Sequence, residues 1–214
     1  MDDLAAVRSA RKPRGQGASR QGEILAAAKR LFLTEGFERT TIRKIAAAVG
    51  VSAAALYLYF PDKEAILRAI AESTFESLLA CLEQTQTQTG SDLDRLRAGL
   101  AGYIAFGLAH PDEYRLTFLA KMMASSGPGR PCATYPALAA AEHSFGILSS
   151  LIEHLMRAGV FAAADPVLSA EAVWASVHGT TALLLDQAAH VKSDPDALIA
   201  TTIDIIVRGL FRHA

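Results

Sequence analysis

Apolar residues recur at intervals of three and four along most of the chain, which is the spacing of one face of an α-helix. The stretch from Gln21 to Glu35 has this spacing, and Gly36 follows it where a helix C-terminus favours a left-handed residue. The sequence lacks runs with the period of two that marks a strand. The pattern therefore predicts an all-α protein of about nine helices.

Caps, glycines, prolines and polar segments separate the predicted helices. The polar repeat from Gln84 to Gly90 is expected to form a loop. Ser125–Pro136 holds two glycines and three prolines, and it is expected to be the least ordered internal stretch. Helices are predicted at Gln21–Glu35, Thr41–Val49, Ala53–Tyr59, Asp62–Leu82, from Ser91 or Asp92 to Leu108, Pro111–Ala124, Ala137–Ala158, Pro166–Val191 and Pro195–Arg212.

Composition narrows the class of protein. With 214 residues, 51% of them hydrophobic, and a formal charge of −1, the chain can bury a core and is unlike a disordered protein. Two cysteines, Cys81 and Cys132, exclude a disulfide scaffold and a multi-cysteine zinc module. The uncharged stretch Ala172–Leu185 is 14 residues long, shorter than the ~20 residues of a spanning helix. Since no apolar stretch precedes the basic residues near the N-terminus, we expect a cytoplasmic protein.

Charge is distributed unevenly along the chain. Residues 1–70 carry 12 Lys and Arg against 7 Asp and Glu, whereas residues 71–214 carry 9 against 15. A basic N-terminal part suggests a polyanionic partner. An ordinary fluctuation in surface charge explains a difference of this size equally well.

The region around Gly50 indicates how the chain would meet a polyanion. Two short helices are predicted on either side of this glycine, and the small residues Ala46 and Ala47 allow them to cross closely. This is the layout of a helix-turn-helix, whose second helix enters the major groove of DNA. Polar, cationic and aromatic side chains surround the unit, namely Thr41, Ser52, Asp62, Arg43, Lys44, Tyr57, Tyr59 and Lys63. Phosphates could also be contacted by a mobile arm over residues 1–20, through Arg8, Arg11, Lys12, Arg14 and Arg20.

Residues 21–70 resemble the N-terminal domain of the tetracycline-repressor (TetR) family of bacterial transcription regulators. The resemblance implies that operator contacts fall on Thr41, Ser52, Tyr57, Tyr59 and Lys63. It is carried by Ile24–Ala28, Glu35-Gly36-Phe37, Thr40-Thr41-Ile42-Arg43-Lys44-Ile45-Ala46, Val49-Gly50-Val51-Ser52, Leu56-Tyr57-Leu58-Tyr59-Phe60 and Asp62–Leu67.

The recognition helix departs from the family pattern, because residues 53–55 are all alanine. Ala54 and Ala55 cannot hydrogen-bond to base edges, although an alanine methyl can touch the methyl group of thymine. Sequence selectivity is therefore expected to depend on Arg43, Tyr57, the arm and DNA shape. One of Tyr57 and Tyr59 is expected to pack within the domain.

The C-terminal part is similar to a TetR subgroup with a Trp…His-Gly signature, here Trp174…His178-Gly179. Its last two predicted helices are apolar on two sides, so one side is expected to face the same helices of a second subunit in a four-helix interface, as the resemblance also implies. The expected interface residues are Val177, Leu184, Ile199, Ile203, Ile206 and Leu210.

An effector pocket is expected inside the C-terminal bundle. Several aromatic and polar residues recur at helical spacing, although plain core packing would use the same residues. The candidate lining residues are Tyr103, Phe106, His110, Tyr114, Phe118, Met122, Trp174 and His178.

These observations predict an N-terminal arm (1–20), a helix-turn-helix domain (21–66) and a ligand-binding and dimerisation domain (67–214). The function they favour is a homodimeric repressor that leaves a palindromic DNA operator when a small molecule binds. No cofactor or metal is expected. An enzyme is disfavoured because His-Glu-x-x-His, Gly-x-Ser-x-Gly and glycine-rich phosphate motifs are missing from the sequence. A redox-sensing regulator acting through Cys132 is a further alternative.

Overall fold

The structure, a computed structural model, describes residues 17–119 and 139–211. In these ranges the regular elements are helical, apart from an isolated bridge between Phe161 and Phe211. The predicted all-α class is confirmed. The α-helices are α1 (Gly17–Glu35), α2 (Ile42–Val49), α3 (Ala53–Tyr57), α4 (Lys63–Gln86), α5 (Asp92–Ala109), α6 (Pro111–Tyr114), α7 (Ala139–Arg157), α8 (Pro166–Asp186) and α9 (Pro195–Leu210).

Two expectations about the ends of helices were wrong. Residues 17–20, expected in the arm, form the first turn of α1, where Arg20 pairs with Glu23 at 2.7 Å. The segment Gln84–Gly90, expected to be a loop, begins as helix, because α4 continues to Gln86. Thr85 sustains this last turn, since its side chain is buried and donates to the carbonyl of Leu82 at 2.7 Å. Composition had marked the segment as polar, but one face of it is packed.

Two other helices end earlier than predicted, and a third changes its type after one turn. Helix α3 stops at Tyr57, and α8 stops at Asp186, before a 3₁₀ turn over Ala188–His190. Helix α6 has only one turn, and a π-helical turn over Arg115–Leu119 continues it. The expected weakly ordered segment Ser125–Pro136 lies outside the described residues, as do Arg8, Arg11, Lys12 and Arg14 of the arm.

The described residues divide into two compact units, and the expected domain boundary at residue 66 stays a prediction. The N-terminal unit contains residues 17–73 and 115–119, and the C-terminal unit contains residues 74–114 and 139–211. Helix α4 belongs to both, because the division falls between Ser73 and Thr74. A second covalent connection runs from Tyr114 to Arg115. The two units are therefore joined both through a helix and through the start of the π-helical turn.

The N-terminal unit is organised around one apolar cluster. Leu56 of α3 is fully buried in it, a contribution of about 1.5–3 kcal/mol for a side chain of this size. Leu116, from the π-helical turn, belongs to the same cluster. The cluster consists of Ile24, Ala28, Phe32, Phe37, Ile45, Ala46, Leu56, Phe60, Ile66, Leu67, Ile70 and Leu116.

The C-terminal unit is built around α8, which packs against α5, α7 and α9. One face of α8 is buried through Ala170, Val173, Val177 and Thr181. Gly107 of α5 lies so close to α8 that a Cβ atom there would stand 2.4 Å from Cγ2 of Thr181. The described helices include none that is long and apolar enough to cross a membrane.

Candidate nucleic-acid interface and polar network

The α2–α3 turn has the local geometry that the sequence predicts. Thr41 has extended backbone angles, and its side chain accepts the backbone N–H of Lys44 at 3.3 Å. Gly50 has a φ of 74°, a left-handed conformation that favours glycine. Ser52 then caps α3 by accepting the N–H of Ala55 at 3.1 Å. Residues 41–57 therefore form a helix-turn-helix fixed by its own caps.

The outward face of this unit is accessible. Thr41, Arg43, Ser52 and Ala54 are exposed, and Ala55 is half-buried. Tyr57 is 54% exposed and Tyr59 is 39% exposed, so both tyrosines reach the surface. Leu58, between them, is 85% exposed, although the sequence analysis gave it no contact role. The accessible surface of α3 is thus largely apolar, and the oxygens of Tyr57 and Ser52 are its side-chain polar groups.

The cations beside this face differ in whether they have a partner within the protein. Lys44 is ion-paired with Glu35 and also donates to the carbonyl of Arg39 at 3.1 Å. Arg43, by contrast, has no hydrogen-bond or ion-pair partner among residues 17–119 and 139–211. Arg43 therefore remains available for a phosphate or a base edge.

Lys63 has a structural role that sequence reasoning missed. Its ammonium donates to the carbonyl of Phe37 at 3.0 Å and lies 4.2 Å from the centroid of the Phe37 ring. A carboxylate oxygen of Glu38 lies 3.9 Å from the same ammonium. The resemblance to the TetR family instead implies an operator contact for Lys63. In the structure, Lys63 ties the start of α4 to the connection between α1 and α2.

A polar network occupies the C-terminal unit where α5, α6 and α8 meet. The hydroxyl of Tyr114 lies 2.7 Å from Nδ1 of His178 and 3.1 Å from the hydroxyl of Tyr103. Nε1 of Trp174 donates to the Tyr103 hydroxyl at 3.2 Å. One arrangement gives each of these donors an acceptor within the network: Trp174 donates to Tyr103, Tyr103 to Tyr114, and Tyr114 to His178. In that arrangement the imidazole proton is on Nε2.

Burial shifts the pKa values of the network in the direction of the neutral forms. Desolvation raises the pKa of Tyr103 above its usual value of 10.0. The pKa of Tyr114 is raised by burial and, to a smaller extent, by neighbouring Tyr103. Burial lowers the pKa of His178 below 6.5. The network is therefore held together by neutral hydrogen bonds at neutral pH.

The structure brings four of the eight predicted effector residues into this network: Tyr103, Tyr114, Trp174 and His178. Phe106 is buried nearby on α5, and its ring packs at 4.7 Å on that of His110.

The other expected effector residues lie elsewhere. His110 is exposed at the C-cap of α5, so the expectation that it faces inward was wrong. Phe118 lies in the π-helical turn of the N-terminal unit. Met122 is outside the described residues.

Two of the six expected dimer-interface residues are buried within the subunit. Val177 is 2% exposed and Ile203 is 7% exposed, because both pack inside their own subunit. Leu184, Ile199, Ile206 and Leu210 are half-buried, and their place in a dimer interface stays a prediction. A different apolar stripe is exposed on these helices. The outward stripe comprises Leu168, Ala172, Ala175, Gly179 and Leu183 of α8 with Thr201, Ile205 and Gly209 of α9.

The alternative functions, a redox sensor and an enzyme, would depend on the cysteines and on clusters of metal-ligating side chains. Cys132 lies outside the described ranges. Cys81 is half-buried, with its sulfur 4.0 Å from the carbonyl of Gly102. Across residues 17–119 and 139–211, no three His, Cys, Asp or Glu side chains come together as metal ligands would.

Comparison with known families agrees with both units. Residues 24–70 match the model of the bacterial regulatory proteins of the tetR family. Residues 96–206, more than half of the chain, match the tetracyclin repressor-like C-terminal domain. The chain belongs to the TetR family of transcription regulators, whose members bind DNA and form dimers.

Individual relatives agree with this assignment. The chain is 31% identical over 97 residues to the HTH-type transcriptional repressor Rv1474c of Mycobacterium tuberculosis, covering 45% of each protein. It is 35% identical over 100 residues to the nucleoid occlusion factor SlmA of Vibrio atlanticus, covering 46% of this chain and 51% of SlmA. The matched part thus spans about half the length of these relatives. A Rhodococcus sp. RHA1 protein of unknown function superposes with a TM-score of 0.75 at 27% identity, over 94% of this chain and 100% of that one.

Proposed function

We propose that this protein is a ligand-responsive transcriptional repressor that binds a palindromic DNA operator as a homodimer in the bacterial cytoplasm. The observation that carries the proposal is the exposed outer face of α3, capped and positioned as in a helix-turn-helix, within residues that match the tetR-family model. The name of the M. tuberculosis relative favours repression over activation.

The DNA contacts would come from a few exposed groups. Arg43 supplies a positive charge that no described residue neutralises. Tyr57 and Tyr59 present hydroxyls that donate to phosphates or base edges. Thr41 and Ser52 use their oxygens to accept backbone N–H groups, so their own O–H groups remain able to donate to a phosphate. Lys63 supports the interface by holding α4 in place.

Dimerisation would use the outward stripe of α8 and α9. The stripe alternates larger apolar side chains with alanine and glycine, which allows two helices to approach closely. Ile205, 65% exposed, and Leu168, 63% exposed, are its most exposed large residues. A two-fold axis through this stripe would make each subunit contact the same surface of its partner and present two copies of α3 to a palindrome.

The effector would act through the polar network. The network extends from the buried hydroxyl of Tyr114 to Trp174, which is 40% exposed. A small molecule with hydrogen-bonding groups could exchange partners with Tyr103 and His178 and so favour a different arrangement of α5 and α8. Because α4 and the Tyr114–Arg115 connection lead into the N-terminal unit, such a change would shift the population away from the DNA-binding state.

The test is DNA binding as a function of salt concentration, with the region upstream of the gene as the probe. Affinity should fall steeply with salt, because phosphate contacts release counterions. Arg43→Ala should lower the slope of log K against log salt by about 0.9 per subunit. Arg157→Ala, on the exposed end of α7 in the other unit, is the matched control and should leave the slope unchanged. The proposal would be contradicted if DNA affinity did not change with salt concentration, or if Arg43→Ala and Arg157→Ala changed the slope equally.

A further inference from the structure

The side chain of Leu58 stands out on the helix-turn-helix unit. It is 85% exposed, more than any other large hydrophobic residue described in the chain. It takes no part in the apolar cluster of the N-terminal unit, and it is not among the partly buried residues that pack against that cluster. A single exposed leucine is ordinary on a protein surface, so its significance depends on its neighbours.

Leu58 shares a helix face with Ala54. The backbone of Leu58 still has right-handed helical angles, with φ −70° and ψ −19°, so the helical spacing of α3 extends to it. Residues four apart lie one above the other on the same face. Ala54 is also exposed. Together they form an apolar edge on the outward side of α3, and Tyr57 is adjacent to it.

This edge has no side-chain group that could hydrogen-bond to a base. Ser52 caps the start of α3 and is not part of this edge. Lys44 on α2 and Lys63 on α4 are held by partners within the domain. In the major groove of B-DNA the apolar feature of a base edge is the C5 methyl group of thymine. An apolar edge on a helix that enters this groove is therefore matched by thymine.

We propose that Ala54 and Leu58 read thymine methyl groups in each half-site of the operator, so that selectivity at these positions depends on apolar contact. The inference rests on the proposed function, since it assumes that α3 enters the major groove. It assigns to Leu58 a role in sequence selectivity rather than in stability. DNA is favoured over a protein partner because the edge adjoins Tyr57 on α3, and because the same family-matched unit carries the exposed, unpaired Arg43 on α2.

The experiment begins by selecting a binding sequence from a random duplex library with the full-length protein. Each thymine of the selected sequence is then replaced by deoxyuridine, which removes the methyl group and leaves base pairing intact. At one or two positions per half-site, each replacement should weaken DNA binding about fourfold. This factor follows because burying one methyl carbon is worth about 0.8 kcal/mol, and about 1.4 kcal/mol corresponds to a tenfold change in affinity. Replacing the symmetric thymines of both half-sites should weaken binding about 15-fold.

Variants at Leu58 connect the methyl group to the side chain. Leu58→Ala should weaken binding of the thymine operator and reduce the deoxyuridine penalty at one sensitive position to less than twofold. Leu58→Met, which keeps an apolar side chain of similar volume, should retain most of the affinity and the penalty. Because Leu58 is exposed, both variants should unfold at the wild-type temperature, and a thermal melt checks this.

The outcomes separate the two proposals. If no sequence is enriched, the proposed function fails, and this inference fails with it. If a sequence is enriched but no deoxyuridine weakens binding, or if Leu58→Ala keeps the full penalty, only the reading of thymine by this edge is overturned. If Leu58→Ala leaves DNA affinity unchanged and alters the oligomeric mass, the edge is a protein contact and the inference is wrong.

Discussion

His178 shows how much of the C-terminal unit depends on the protonation state of a single side chain. Its Nδ1 lies 2.7 Å from the hydroxyl of Tyr114, and its ring stacks on the Tyr114 ring at 5.6 Å. The neutral imidazole can accept this hydrogen bond, whereas a protonated one would present a donor there. Burial favours the neutral form, which is why the pKa of His178 is lowered from 6.5.

The lowered pKa gives a signed prediction. Below pH 6.5, His178 is protonated in the unfolded chain but stays neutral in the folded protein until the pH reaches its lower folded pKa. The free energy of unfolding should therefore decrease as the pH falls towards the folded pKa. Above pH 6.5 this contribution to stability is fully present. His178→Asn removes the titrating group, so the stability difference between wild type and variant should shrink on acidification, as denaturant unfolding at several pH values would measure.

The control for this prediction is His143→Asn, which removes an exposed imidazole of α7 outside the network. The acid-dependent fall in stability should persist in that variant. If the difference between wild type and His178→Asn stays constant from pH 7.5 to pH 5, the network does not depend on a neutral His178.

In the N-terminal unit, the charge of Lys63 is likewise balanced by contacts within the protein. A lysine in the first turn of a helix opposes the helix dipole, and an external anion is one way to compensate it. In the structure the compensation is internal, through the carbonyl and ring of Phe37, 26 residues away in sequence. Sequence spacing does not reveal a partner at that distance.

At the scale of elements, the crossing of α5 and α8 positions the network. Gly107 allows the two helices to approach, and Tyr103 and Tyr114 stand on either side of it along the chain. A Cβ atom at residue 107 would meet Thr181 at 2.4 Å and the ring of Tyr114 at 3.0 Å. Thr181 is fully buried and β-branched, so it has little freedom to move aside.

Gly107→Ala should therefore lower the free energy of unfolding by about 1–3 kcal/mol, the usual cost of overpacking. Gly146→Ala is the matched control, because Gly146 is also inside a helix but a methyl group added there would point into open space. That variant should gain up to about 1 kcal/mol from helix propensity. Equal effects of the two substitutions in urea denaturation would show that the crossing is not tight.

The whole molecule is expected to be a dimer whose interface is the outward stripe. Each of α8 and α9 has two apolar sides, and among the described residues the subunit's own core covers the side that contains Val177 and Ile203. The other side carries Ile205 and Leu168, which the described residues leave exposed to solvent. Burial against a second copy is what the family's dimers lead us to expect.

Ile205→Arg should convert the dimer into a monomer, because two charged side chains would be buried near the two-fold axis. Sedimentation or light scattering should show the molecular mass fall by half, and operator affinity should fall with it. Val160→Arg, at an exposed apolar residue after α7, is the control and should leave the mass unchanged. A dimeric Ile205→Arg protein would place the interface elsewhere.

The sequence by itself determined the all-α class and the helix-turn-helix. Its signals act over a few residues: Gly50 has the positive φ of the turn, and Thr41 and Ser52 cap the helices that follow them. Such local signals depend little on the rest of the chain, which is why the sequence alone predicts them.

Only the tertiary structure decided which apolar side of α8 and α9 faces the core. Helical periodicity identifies an apolar stripe, but it cannot rank two stripes on one helix, so Ile203 was assigned to the interface although it is buried in its own subunit. The same holds for the contact of Lys63 with Phe37 and for the hydrogen bonds that join Tyr103, Tyr114 and His178. These contacts join residues from 11 to 75 positions apart, and packing rather than sequence spacing brings them together.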